Sequence, residues 1–198
     1  MNHDVDLYWI KEPAQIKALT SPMRQEIVDA VAALGPCSMT ELAEHLGRAA
    51  DSLYFHVRKL VKVKLLREVE KRKEGRHVWA IYALPARQVR MVYSPAMLKT
   101  IRKVVAGAMR LSLREFNQAL LQKNGSFTGP HRNLWGGRMK GWLTPEDLVE
   151  VNQIIERLLF LMQKQGPGPG RTIHSLGWVL SPARVRQRNS RSSSANGV

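Results

Sequence analysis

Cysteine is almost absent from this chain. Its 198 residues contain one, Cys37, so no intrachain disulfide can form and the composition fits a reducing compartment. With a single thiol there is no Cys-x-x-Cys pair. The histidines at 3, 45, 56, 77, 131 and 174 never fall at His-x-x-x-His spacing, so no metal site and no cofactor are expected. Long apolar runs are missing as well. Nothing approaches the about 20 residues that a membrane span requires. The opening Met1-Asn2-His3-Asp4-Val5-Asp6 is acidic and has no apolar signal core, which predicts a cytoplasmic protein without a membrane partner. Acidic residues are sparse in the second half, where they stand only at Glu115, Glu146, Asp147, Glu150 and Glu156. That is too thin for a carboxylate–metal nuclease. The run Gly166-Pro167-Gly168-Pro169-Gly170 alternates with proline and cannot present consecutive N–H groups to a phosphate. No nucleophile elbow occurs, and the chain reads as no enzyme.

What the chain has is positive charge, +15 at pH 7. Basic proteins often meet nucleic acid because neutralising phosphates releases condensed counterions, although acidic membranes and plain solubility also draw on charge. Its placement says more. As far as Gly47 the acids Asp4, Asp6, Glu12, Glu26, Asp29, Glu41 and Glu44 outnumber Lys11, Lys17 and Arg24. From Arg48 the sign reverses. Arg48, Arg58, Lys59, Lys62, Lys64, Arg67, Lys71, Arg72, Lys73 and Arg76 face only Asp51, Glu68, Glu70 and Glu74.

The reversal coincides with a pattern of elements. Ala14 to Leu19 reads as a short helix. Ser21-Pro22 opens another, with serine suited to the N-cap and proline to the first helical position. Ile27, Val28, Val31 and Leu34 give it an apolar face, and Gly35-Pro36 ends it. Ser38 or Thr40 can cap a third helix that turns Leu42, Ala43 and Leu46 inward and ends at Gly47 in a left-handed conformation. Asp51 or Ser52 opens a fourth, whose buried side is Leu53, Val57, Leu60 and Val61. Leu65–Glu70 and His77–Tyr82 read as strands joined by a polar link, Lys71 to Arg76.

Beyond Pro85 the spacing predicts a long helix over Pro95–Lys123, with Leu98, Ile101, Val105, Ala108, Leu111, Phe116 and Leu120 inward. Asn133–Trp142 is a strand or an ordered loop. Thr144-Pro145-Glu146-Asp147 is a strong helix start, with a cap, a first-turn proline and acids at the positive dipole end, and the helix runs to about Lys164. Thr172–Leu180 reads as one more strand. Residues 181–198, rich in Arg and Ser, read as a disordered basic tail.

Residues Ile16 to Leu84 resemble the winged-helix regulators of the ArsR type. Pro22-Met23-Arg24-Gln25-Glu26-Ile27-Val28 is similar to their first core helix. Thr40-Glu41-Leu42-Ala43-Glu44-His45-Leu46 is similar to their positioning helix. Ser52-Leu53-Tyr54-Phe55-His56-Val57-Arg58-Lys59-Leu60 is similar to the recognition helix of the subgroup with a Ser-x-Tyr-x-His-x-x-x-Leu signature. The resemblance implies a bacterial homodimer that binds near-palindromic double-stranded DNA, with small molecules or metals controlling binding. The metal sensors of that family carry paired cysteines where this chain reads Cys37-Ser38-Met39-Thr40, so thiolate sensing does not transfer. A second departure is Lys64, which stands where the family has a glycine ahead of the first wing strand. Either lysine sits at positive φ at a strain of order 1 kcal/mol, or the helix ends differently.

The expected fold is mainly α (α+β): a winged helix-turn-helix over 12–84, a helical dimerisation and effector region with one or two short strands over 85–180, and the tail. The candidate DNA contacts are Ser52, Tyr54, His56, Arg58, Lys59, Lys62, Lys71, Arg72, Lys73 and Arg76. Arg58 could pair with guanine or rest on phosphate. His56 could donate to a phosphate or brace the helix against the wing. Phe55 reads as packing rather than base contact. Lys71–Arg76, at a hairpin tip, suits phosphate or minor-groove contact. Trp135, Trp142 and Trp178 could line an effector pocket or fill a core or dimer interface. The function expected is that of a sequence-specific homodimeric DNA-binding transcriptional regulator under a small-molecule effector. The alternative is a winged-helix interaction module that binds RNA or DNA non-specifically, or binds a protein.

Overall fold

The computed structural model describes residues 6–74, 77–122, 125–164 and 166–183. The chain runs β1 (Leu7–Ile10), α1 (Pro13–Ala18), α2 (Pro22–Leu34), β2 (Cys37–Ser38), α3 (Met39–Leu46), α4 (Ala50–Lys62), β3 (Arg67–Glu74), β4 (His77–Ala83) and β5 (Gln88–Met91). A 3-10 turn (Pro95–Met97) then leads into α5 (Leu98–Leu120), and α6 (Pro145–Gln163) follows. This is a winged-helix α+β fold with a helical second half.

The helices of the first half form where local chemistry favours them. Pro22 takes the first position of α2, and Gly35 ends it at φ 79°, a conformation glycine adopts without steric cost. Ser38 caps α3 reciprocally: its Oγ accepts from the Glu41 amide at 3.2 Å, and the Glu41 carboxylate accepts from the Ser38 amide at 2.7 Å. Gly47, at φ 61° and ψ 39°, closes α3 in the left-handed conformation. Ile27 and Val31 of α2, Leu42 of α3, and Leu53, Val57 and Leu60 of α4 are fully buried against one another. Each buried side chain of that size contributes roughly 1.5–3 kcal/mol of transfer free energy.

A three-stranded antiparallel sheet, in the order β2-β4-β3, covers the open side of this helical unit. Ile81 of β4 is buried beneath it. Leu65 and Leu66, expected to open the first strand, instead precede β3 and enter the core. The strands also run further than their apolar segments, because Lys71, Arg72, Lys73 and Glu74 pair with Ala80, Trp79, Val78 and His77. The basic run therefore belongs to the ladder and not to the connection. Ladder hydrogen bonds do not depend on apolar side chains, and β3 is an edge strand, where charged residues are at home.

A second sheet has no counterpart in the local pattern. Leu7–Ile10 pairs in parallel with Gln88–Met91 across about 80 residues of chain. It ties the segments on either side of the wing unit to each other, with the Gln88 amide donating to the Asp6 carbonyl and the Val92 amide to that of Ile10.

The second half is packed differently. Ile101, Val104, Gly107 and Leu111 of α5 face inward, while Leu98 and Leu120, both expected inside, are exposed, and Val105, Ala108 and Phe116 are half-buried. The phase is set by α2. The Gln25 Nε2 donates to the carbonyls of Leu19 and Val104, both at 2.8 Å. A Cβ on Gly107 would meet the Gln25 amide at 2.9 Å, so glycine permits the close approach. Helix α6 has the strong start expected of it, with Thr144 and Asp147 capping each other, but it buries no residue completely. Arg90 holds it through both oxygens of Glu156 at 2.6 Å, and Arg87 donates to the Gln163 and Lys164 carbonyls. Asn133–Trp142 is an ordered loop. Thr172–Leu180 is not a strand, because no strand lies alongside it among the described residues. Of the basic tail, residues 181–183 have no regular structure and 184–198 lie outside the described residues.

Candidate nucleic-acid interface

The turn from α3 to α4 orients the fourth helix. The Gly47 and Arg48 amides close on the end of α3, and Ala49 takes the extended cap conformation. Helix α4 thus starts at Ala50, ahead of both Asp51 and Ser52. Ser52 cannot be its cap, because its Oγ donates to the Ala49 carbonyl at 2.7 Å and does not accept from an amide. Arg48 is drawn towards Glu26 of α2 at 3.7 Å, and Glu26 also receives Arg114 of α5 at 2.6 Å. The turn ahead of α4 is therefore linked through α2 to the long helix of the second half.

At about 100° per residue, the buried Leu53, Val57 and Leu60 define one side of α4. Asp51, Phe55, Arg58 and Lys62 fall opposite, with Lys59 and Ser52 at one margin; all six are exposed. Arg58, Lys59 and Lys62 have no acidic partner within ion-pair distance among the described residues. Phe55, expected to pack, is 69% exposed. The phase of the buried stripe turns it away from the core.

Tyr54 and His56 lie on the two shoulders. Tyr54 faces the wing: Tyr82 of β4 sits close to Tyr54, Arg58 and Glu68, and burial above all, then Glu68 and Tyr54, raises the Tyr82 phenol pKa against a smaller opposing pull from Arg58. His56 turns the other way, towards Arg24 of α2. Its Nδ1 is buried and has no hydrogen-bond partner. Burial first, then the Arg24 charge, lowers its pKa, so the ring is neutral at pH 7. It lies against α2, and neither of its two expected roles, phosphate donor or brace on the wing, describes that placement.

On β3 alternate residues point to opposite faces. Arg72 shares a face with Glu70 (3.4 Å) and reaches Glu41 of α3 (3.9 Å). Exposed pairs of this kind are worth only about 0–1 kcal/mol, so a phosphate could displace them. Lys71 and Lys73 stand exposed on the other face. Arg76 lies outside the described residues.

Position of the wing relative to α4 depends on two residues. Lys64 has φ 61°, so lysine does occupy the left-handed position, and the strain of order 1 kcal/mol is borne. The reversal allows Leu65 and Leu66 to reach the core. Gln15 braces it: its Nε2 donates to the Val63 carbonyl at 3.0 Å and to the Tyr8 hydroxyl at 2.6 Å. Gln15, Gln25 and Glu26 are the positioning residues that pattern reading missed. At about 100° per residue Gln25 and Glu26 fall well away from the stripe of Ile27 and Val31 on α2, so the apolar pattern of that helix gave no signal for either.

Cys37 is buried in β2. Burial, and then Glu41, pushes its thiol up to about 11, so it stays a neutral thiol at pH 7. The three tryptophans of the candidate effector site do not enclose a cavity. Trp135 and Trp142 are 70% and 88% exposed, Trp178 is exposed too, and the Arg132 guanidinium lies 3.6 Å over the Trp135 ring. A shallow depression of about 480 Å³ lies elsewhere, on the outer side of α5, lined by Arg110, Leu113, Arg114, Asn117, Gln118 and Leu121. Among the described residues no cluster of three His, Cys, Asp or Glu could hold a metal ion, and no helix is long and apolar enough to cross a membrane.

Comparison with known proteins bears on the first half. Residues 19–69 match a family model described as a helix-turn-helix domain, spanning α2, α3, α4 and the start of the wing. No curated protein matches the chain. Among solved structures, Staphylococcus aureus MarR in complex with salicylate and kanamycin is similar at 12% identity, over 75% of this chain and 83% of that one, with a TM-score of 0.27. That likeness is too loose to bear on arrangement or ligand. The chain contains a helix-turn-helix domain with a wing, and α4 stands where such a domain carries its second, groove-entering helix.

Proposed function

We propose that this protein is a sequence-specific DNA-binding transcriptional regulator of the ArsR type that acts as a homodimer on double-stranded DNA. Helix α4 enters the major groove, and Lys71, Lys73 and Arg72 of the wing rest on flanking phosphates. The observation that carries this reading is the exposed face of α4: Arg58, Lys59 and Lys62 point outward, opposite an apolar face packed into the helix-turn-helix core. A dimer follows from specificity, since one recognition helix reads only a few base pairs and two half-sites multiply the discrimination.

The second half supports the dimer. Leu148, Ile154, Leu158, Leu161 and Met162 of α6 are exposed, on a helix whose first turns carry Glu146, Asp147 and Glu150. The outer side of α5 carries Arg110 and Leu113. Apolar area of that extent calls for a partner, and a second copy offers both the apolar surface and the opposite charge. Trp135, Trp142 and Trp178 lie in this uncovered region, so an effector site built on them is closed by the second copy.

The test is the Arg58→Ala/Lys59→Ala variant. Both side chains are exposed, so its unfolding temperature stays at the wild-type value, while its affinity for duplexes enriched from genomic fragments falls at least tenfold. Unchanged affinity and footprint overturn the proposal. Equal binding of the wild type to RNA and to any duplex favours the non-specific module instead. Sedimentation at micromolar concentration reads the dimer directly, and a monomer there removes that part.

A further inference from the structure

Phe55 occupies a place that packing does not explain. It stands on α4 close to diametrically opposite Leu53, Val57 and Leu60, which are fully buried, and is itself 69% exposed. The neighbouring ring, His56, meets it edge-on at 5.5 Å and leaves its outer face open. An apolar ring is thus held in water at the crest of a helix that otherwise sorts its apolar residues inward.

Its surroundings are graded in charge. Asp51 lies one turn before it on the same face, and Arg58 and Lys59 lie one turn after it, followed by Lys62. A phosphate is repelled from the first end and drawn to the second. With the basic end on the DNA backbone, the stretch from Asp51 to Phe55 lies over base edges, which is where the N-terminal residues of a groove-bound recognition helix make their contacts. Base edges in the major groove are donors and acceptors with one apolar exception, the 5-methyl group of thymine. A phenyl ring has nothing to offer the donors and acceptors, and it gains by covering the methyl.

We propose that Phe55 is a specificity-determining residue that reads thymine through its 5-methyl group. The inference rests on the reading of α4 as the DNA-contacting helix.

The experiment uses the full chain and a duplex enriched by it from a random pool, with each thymine replaced singly by uracil, which lacks only that methyl. The wild type is expected to bind about fourfold more weakly when the uracil stands at one thymine of a half-site. Phe55→Ala is expected to bind more weakly overall and to show no difference between thymine and uracil there, with its circular dichroism unchanged because the side chain is exposed. The double-mutant cycle isolates the contact. Uracil tolerated everywhere by the wild type overturns the proposal. So does an equal uracil penalty in Phe55→Ala, and so does an unchanged affinity in that variant, which would assign the ring to a protein partner. A pool from which no duplex is enriched is a different result: it removes the DNA-binding reading itself, and this inference with it.

Discussion

Helices α4 and α6 are instructive side by side. Helix α6 has the better local signals: a reciprocal Thr144–Asp147 cap, proline at its first position and acids in its first turn. Helix α4 starts at an alanine with no side-chain cap. Yet α4 buries Leu53, Val57 and Leu60 completely, whereas α6, six residues longer, buries none of its apolar side chains fully. Caps and propensity decide where a helix begins. Burial depends on what the rest of the chain places beside it, and here α1, α2 and α3 all converge on α4.

Equivalent truncations measure that difference. Leu53→Ala is expected to destabilise the fold by about 2–5 kcal/mol, as large-to-small changes in a packed core do. Ile154→Ala, a similar loss of side chain on α6, should cost about 0.5 kcal/mol or less in a dilute sample. Thermal or denaturant unfolding reads both. Comparable losses at the two sites would erase the contrast. A penalty at Ile154 that grows with protein concentration would show the face being covered by a second copy.

The wing junction gives the next effects. Gln15→Leu removes the donor that satisfies the Val63 carbonyl and the Tyr8 hydroxyl, and about 1–3 kcal/mol should be lost, as for other buried groups left unpaired. Lys64→Gly relieves a left-handed residue and is expected to stabilise by about 1 kcal/mol, less the entropy of glycine in the unfolded chain. Opposite signs at two neighbouring positions are the distinctive outcome, and two losses would mean that Lys64 bears no strain.

The smallest effect concerns the α3 cap. The bonds from the Ser38 amide and hydroxyl, with Arg72 nearby, hold the Glu41 carboxyl below its usual range. A carboxyl depressed on folding contributes stability above its unfolded value of 4.5, and that contribution is lost as pH falls through the lower folded value. Glu41→Gln should therefore flatten the acid arm of a stability–pH curve, with its loss of stability present at pH 7 and vanishing at low pH. An acid arm identical to wild type would mean that other carboxylates account for it.

Much of the helix-turn-helix was legible in the sequence because its signals are local. Ser38 as one of two cap candidates, Gly35 and Gly47 at helix ends, and Leu53, Val57 and Leu60 at helical spacing each act within a few residues. The left-handed position at Lys64 came instead from the family resemblance, whose members carry glycine there. The interface was legible less evenly. The outward direction of Arg58, Lys59 and Lys62 follows from the phase of the apolar stripe. The same phase places Phe55 in solvent, a consequence hidden by the habit of assigning aromatic rings to the core. His56 could not be placed, because both sides of its helix offer neighbours and only the packing of α2 with Arg24 selects one.

By itself, then, the sequence determined the order of the helical elements, the start of α6, the point at which the charge reverses and the face of α4 that is apolar. These rest on contacts between residues three or four apart, whose geometry is the same in every helix. The tertiary structure alone decided the parallel pairing of β1 with β5, the extension of the wing strands through Lys71–Glu74, the ties made by Gln15 and Gln25, and the exposure of α6. Each of these depends on which distant segment arrives alongside, and a backbone donor or an apolar face carries no address for its partner.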